Sequence, residues 1–166
     1  TNTLNKMFSV NSDGSNLVQL TPETLGVNDS DGSFSPNGTK IAFERGYSVW
    51  VCDADGSNQV LIADSSSGEY RNPNWSPDGS KIVCVFNYNE LTVMNPDGSG
   101  ISRQAVSTAV NSFYGPKMSP DGSMISFAAS TAAPGRPWFG IVEVATNKVF
   151  WRFGKGFTNI GWINQL

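Results

Sequence analysis

The chain has 166 residues, 39% of them apolar and 11% aromatic, enough to build one packed domain and well clear of a disordered composition. Only 15% are charged, with a net charge of −3, and the 11 basic residues are scattered, which excludes the basic stripe of a nucleic-acid binder. There is no His, which removes His triads, His metal ligation and imidazole acid–base chemistry, and no apolar run reaches the ~18 residues of a membrane-spanning helix.

In chain order, Met7–Val10 and Leu17–Leu20 are short apolar segments on either side of the turn Asn11-Ser-Asp-Gly-Ser-Asn16. A third strand ends at Phe34 and runs into Ser35-Pro-Asn-Gly38, followed by strands Lys40–Phe43 and Val49–Cys52. The turn Asp53-Ala-Asp-Gly-Ser-Asn58 leads into Gln59–Ile62. The series then restarts with a strand ending at Trp75, the turn Ser76-Pro-Asp-Gly79, strands Lys81–Cys84 and Leu91–Met94, and the turn Asn95-Pro-Asp-Gly-Ser-Gly100. It runs a third time through Met118, Ser119-Pro-Asp-Gly122, Met124–Phe127 and Ile141–Val144, and Trp162 falls in the slot of a fourth copy. Pro at the second turn position fixes φ and Gly allows positive φ, so these tetrapeptides are reverse turns by mechanism. Asp-Gly between apolar runs signals hairpins.

The spacing is regular. Asp13, Asp55 and Asp97 are 42 residues apart each time, and Phe34, Trp75, Met118 and Trp162 are 41, 43 and 44 apart. Several strands are apolar on consecutive residues, which implies burial on both faces, as for a small sheet between two neighbours. Four short strands per ~42 residues, covered on both faces, describe a β-propeller blade. The expected fold is therefore an all-β propeller of four-stranded blades in one domain over 1–166. Its units lie at about 1–33, 34–74, 75–117 and 118–161, with 162–166 as a closing strand.

Asp53-Ala-Asp-Gly-Ser-Asn58 followed by Asn72-Pro-Asn-Trp-Ser-Pro-Asp-Gly79 resembles the TolB-like, WD40-like (PD40-type) propeller repeat, most closely from about residue 5 to 128. The Gly-His and Trp-Asp signatures of true WD40 repeats and the sialidase box are absent. The resemblance implies a periplasmic or secreted location, protein–protein contact and no cofactor.

The chain opens on Thr1-Asn2-Thr3 without an initiator Met or signal peptide, as when a leader has been removed or the stretch is cut from a longer one. In the repeat frame it starts near the third strand of one blade and stops after the first strand of another. Three closures stay open: a compact four-bladed ring, a half-ring that dimerises into an eight-bladed propeller, or a piece of a longer propeller. Cys52 and Cys84 occupy different positions in neighbouring units and are expected to be buried free thiols.

No catalytic constellation is legible. Gly154-Lys-Gly-Phe-Thr158 has the wrong spacing for a phosphate loop and reads as a hairpin turn. Asp53–Asn58 echoes the opening of a calcium loop but lacks its bidentate Glu, so Asp side chains bonding their own turn backbone are the simpler reading and no metal is expected. The carboxylate pairs Asp29/Asp31 and Asp53/Asp55 have no strand pattern holding them across a cleft.

The turns after first and third strands are nearly identical between copies and therefore structural. The loops between second and third strands and those entering the first strand differ, and in a propeller both sets emerge on one face. They comprise 44–47, 87–90 and 129–138 in one set, and 28–31, 69–72 and 112–115 in the other. Tyr70, Arg71, Tyr88, Tyr114, Arg136 and Trp138 are thus the candidate ligand-binding residues, of the types that dominate interaction hot spots. Tyr70 and Trp138 have an alternative role as plugs between blades, and the Trp75 and Trp162 slot is assigned to core. The expected function is a non-enzymatic module that engages a protein or peptide. The alternatives are a carbohydrate-binding propeller and the propeller of a larger hydrolase.

Overall fold

The computed structural model describes residues 4–22, 26–106, 112–130 and 138–153, the last stretch with side chains over 139–150. A ribbon of β1 (Phe8–Ser9) and β2 (Val18–Gln19) comes first. Three four-stranded sheets follow, each an antiparallel meander in chain order. They are β3 (Asp29–Phe34), β4 (Lys40–Arg45), β5 (Ser48–Asp53) and β6 (Val60–Ala63); β7 (Tyr70–Trp75), β8 (Ile82–Phe86), β9 (Glu90–Met94) and β10 (Ser102–Ala105); β11 (Ser112–Met118), β12 (Met124–Ser130), β13 (Trp138–Glu143) and β14 (Val149–Phe153). Among the described residues the helical element is one 3₁₀ turn at Ser65–Ser67, and no helix is long and apolar enough to cross a membrane. This is the expected blade architecture. The ribbon corresponds to the third and fourth strands of a blade.

The repeated turns work as their composition predicts. Asp13, Asp55 and Asp97 each accept bonds from the backbone N–H and hydroxyl of the Ser two residues on, at 2.6–2.9 Å. Asp78 and Asp121 do the same in the Ser-Pro-Asp-Gly turns and also accept from Ser76 and Ser119 at 2.6 Å, which holds both carboxyls down at about 2. Gly56 and Gly98, at φ +86° and +84°, have a second duty. A Cβ there would lie 2.4 and 2.3 Å from the carbonyl oxygens of Leu20 and Ile62 in the preceding unit. Gly14 holds the same φ, +82°, with open space around it.

Consecutive apolar residues face alternate neighbours. Ile41 and Phe43 of β4 pack towards the ribbon with Leu20 and Cys52, while Ala42 joins Ile82, Cys84 and Phe86 of β8. Val83 and Val85, the other face of β8, pack with Phe113, Met118, Ile125 and Phe127 of the third sheet. Cys52 and Cys84 are buried free thiols, as expected.

Two expectations are corrected. Most of 28–31, 69–72 and 112–115 is first strand rather than loop, because each strand continues through a β-bulge. The bulges fall between Ser30/Ser33, Arg71/Asn74 and Tyr114/Lys117, around the left-handed residues Asp31, Asn72 and Gly115 at φ 51–54°. The shared slot is also uneven: Met118 is buried and Trp75 partly buried, but Phe34 is 54% exposed. Trp75 and Met118 lie against a complete preceding sheet, whereas only the two-stranded ribbon precedes β3 in the described residues. Trp162 and the closing segment 162–166 lie outside the described residues.

Candidate functional site

At the end of the molecule opposite the Ser-Pro turns, tight hairpins join second to third strands. Arg45 pairs with Ser48, leaving Gly46 and Tyr47 at φ +55° and +67°; Asn87 and Tyr88 sit at +46° and +68° in the equivalent turn. The tip carbonyls reach the next sheet. Tyr47 O accepts from the Tyr70 N–H at 2.8 Å, and Tyr88 O from the Phe113 N–H at 2.7 Å. Each tip is thereby fixed against the first strand of its neighbour, which sets the place of its tyrosine.

Arg71, from β7, lies between these tips. Its Nη2 donates to Tyr88 Oη at 2.8 Å and to Glu69 Oε2 at 3.0 Å, and its guanidinium sits 4.5 Å from the Tyr47 ring centre and 4.8 Å from that of Tyr88. The Tyr88 hydroxyl, bonded to Glu69, is held above the ordinary phenol range while Glu69 is held below the ordinary glutamate range. Tyr114 stands one sheet further on in the register position of Arg71, 48% exposed, with its hydroxyl 3.5 Å from Ser130 Oγ. Arg71, Tyr88 and Tyr114 therefore share this end.

Tyr70 does not join them. It is buried in the core between the first two four-stranded sheets with Val49 and Ala63, its ring 4.8 Å from Phe86 and its hydroxyl accepting from Arg103 Nη2 at 2.6 Å, so it plugs the gap between sheets. The backbone of Trp138 pairs with Ala129 and Phe153; Arg136 lies outside the described residues, as does the Trp138 side chain.

The cluster contains groups that sequence reasoning left out of the candidate set. Tyr47 is the hairpin counterpart of Tyr88, 41 residues earlier, and that alignment was the available signal. Glu44 was counted with the variable loop 44–47 but not singled out, and it belongs instead to the end of β4. It is buried on β4, Asp31 hydrogen-bonds its side chain, and burial pushes it up to about 7. On the other face of the same sheet, the Asp29 side chain is fully buried with Arg45 Nε at 2.5 Å and Lys6 Nζ at 3.3 Å. That ionic knot ties the start of the chain to β3 and β4. At the opposite end a cleft of about 370 Å³ is lined by Pro36, Trp75, Asp78 and Pro96, but the Asp78 carboxylate is committed to its own turn. Among the described residues no group of three or more acidic, Cys or His side chains could hold a metal.

No family model matches the chain. A Tol-Pal system protein TolB from Histophilus somni is 44% identical over 54 residues, a match covering 28% of this chain and 12% of that protein. The structure of a putative TolB from Agrobacterium tumefaciens aligns with a TM-score of 0.66 and 17% identity, over 90% of this chain and 57% of that one. An oligogalacturonate lyase from Vibrio parahaemolyticus aligns at 0.63 and 16%, over 89% of this chain and 46% of that one. The chain thus spans only part of each of these proteins, and the fold is shared by TolB proteins and by an enzyme.

Proposed function

We propose that this chain, a TolB-like β-propeller, is a non-enzymatic binding or scaffolding module that engages a protein or peptide through the end carrying Tyr47, Arg71, Tyr88 and Tyr114. The observation that carries the reading is the packing of Arg71 between two exposed tyrosine rings, each on a hairpin tip bonded to the next sheet. A rigid aromatic surface around a held guanidinium gives contact area at low entropic cost. The likeness to TolB further supports a periplasmic or secreted location and a protein partner. A second copy completing the ring belongs to the same proposal, and the solution mass tests it.

The test of the binding surface is selection from a phage-displayed heptapeptide library, followed by binding to an Arg71→Ala/Tyr114→Ala variant. Selected peptides lose at least about tenfold in affinity for the variant, whose thermal midpoint stays within a few degrees of the parent. Peptides that bind the variant equally well would place the binding surface elsewhere. Exposed tyrosine faces also suit sugar rings, and the fold is shared with a lyase acting on oligogalacturonate. Oligogalacturonate on a glycan array separates the two readings: retention there, lost in the variant, favours the carbohydrate.

A further inference from the structure

The same end carries an excess of negative charge beside the tyrosines. Glu44 on β4 is opposite Ser30 of β3, is only 6% exposed, and its Oε2 has no hydrogen-bond partner among the described residues. Asp31, exposed at the left-handed position of the bulge, shares a side-chain hydrogen bond with it. The charged groups facing Glu44 are Asp31 from β3 and Arg71 from β7, and the Asn72 amide of β7 also points to its carboxyl. Arg71 is itself bonded to Glu69. Glu44 and Glu69 therefore share one guanidinium, and Asp31 lies against Glu44.

The aromatic faces there already hold a cation, since Arg71 stacks on both Tyr47 and Tyr88. Tyr47 and Tyr88 remain 45% and 39% exposed, leaving ring surface for a visitor. A long basic side chain meets both features, its cation facing the carboxylates and its aliphatic stem lying on a ring. An acidic group would face Asp31, Glu44 and Glu69 with the Arg71 guanidinium already engaged.

We propose that the mouth between the first two four-stranded sheets binds a Lys or Arg side chain presented by a peptide segment of a partner protein, with the cation at Asp31 and Glu44 and the stem on Tyr47. This rests on reading the end as a peptide-binding surface and specifies the residue it takes. Burial pushes Glu44 up to about 7, so its carboxyl gains charge as the pH rises through that value, and binding strengthens with it.

The probes are the peptides selected from the heptapeptide library, measured by fluorescence anisotropy beside copies in which each Lys or Arg is replaced by Gln. The selected peptides contain a basic residue whose replacement weakens binding about tenfold or more. Asp31→Asn/Glu44→Gln weakens the parent peptides to a similar degree, and Glu44→Gln alone removes the gain in affinity between about pH 6 and about pH 8. Asn accepts the left-handed backbone, so Asp31→Asn by itself keeps the test open if the double variant does not fold. Peptides that need Arg71 and Tyr114 but no basic residue, or that keep their affinity for the carboxylate variants, overturn the cation assignment and leave the peptide-surface reading standing. If no selected peptide depends on Arg71 and Tyr114, both fall.

Discussion

Replacing Gly14, Gly56 and Gly98 by Ala, one at a time, separates backbone strain from contact between units. All three hold φ between +82° and +86°, where an L-residue costs roughly 1–2 kcal/mol more than Gly. At Gly14 that is the whole effect, because a Cβ would meet nothing within 4 Å. At Gly56 and Gly98 the Cβ falls 2.4 and 2.3 Å from a backbone carbonyl oxygen, about 1 Å inside ordinary contact, and backbone cannot rotate away as a side chain can. The preceding unit has to shift, which adds about 1–3 kcal/mol of overpacking. The expected losses are about 1–2 kcal/mol for Gly14→Ala and about 2–5 kcal/mol for each of the others. Equilibrium urea unfolding followed by far-UV circular dichroism measures them, and an unchanged m-value assigns the change to stability. Equal losses at all three sites would refute the idea that these turns lock one unit under the next.

The pH dependence of stability follows from Glu44. Its carboxyl is raised from 4.5 to about 7 in the folded chain, so its contribution is complete below about pH 4.5 and is lost as the pH rises through 7. Urea titrations across that window are expected to show about 2–3 kcal/mol of decline that Glu44→Gln abolishes; a decline that survives in the variant has another source. Asp29→Asn leaves the buried Arg45 and Lys6 short of their counter-charge and is expected to cost about 3–5 kcal/mol, with a loss below about 1 kcal/mol contradicting the ionic knot. Burial pushes Cys52 up to about 11 and Cys84 higher still, so both thiols resist labelling at neutral pH until the chain unfolds, and rapid native labelling of either would place it at the surface.

The repeat made the fold legible because turn chemistry is local. Ser-Pro-Asp-Gly and Asp-Gly-Ser place their own hydrogen bonds wherever they occur, and the strands between them are fixed by the count. The bulges were not legible, since Asp31, Asn72 and Gly115 share tolerance of a left-handed backbone and no common side chain. That missed feature turned strand residues into apparent loop. Arg71, Tyr88 and Tyr114 were singled out because they lie in segments that vary between units, and the structure places them at one end. Tyr70 lies in such a segment too and yet is core, for variation between units also occurs where each gap is filled differently, by the ion-paired Asp29, by Tyr70 or by Phe113. Glu44 could not be read from sequence, as its burial depends on Asp31 and Arg71 arriving from two other strands.

The bonds from the hairpin tips at Tyr47 and Tyr88 to the first strand of the next sheet bear on how the molecule comes apart. Each sheet borrows part of its protection from the one after it, so the chain behaves as a row of coupled units in which opening costs a unit its own contacts and every interface it shares. The second four-stranded sheet has neighbours on both sides, and its central strand β8 is buried throughout. Amide exchange at β8 therefore costs the second sheet its own contacts and both of its interfaces, whereas the two-stranded ribbon exchanges by local fraying.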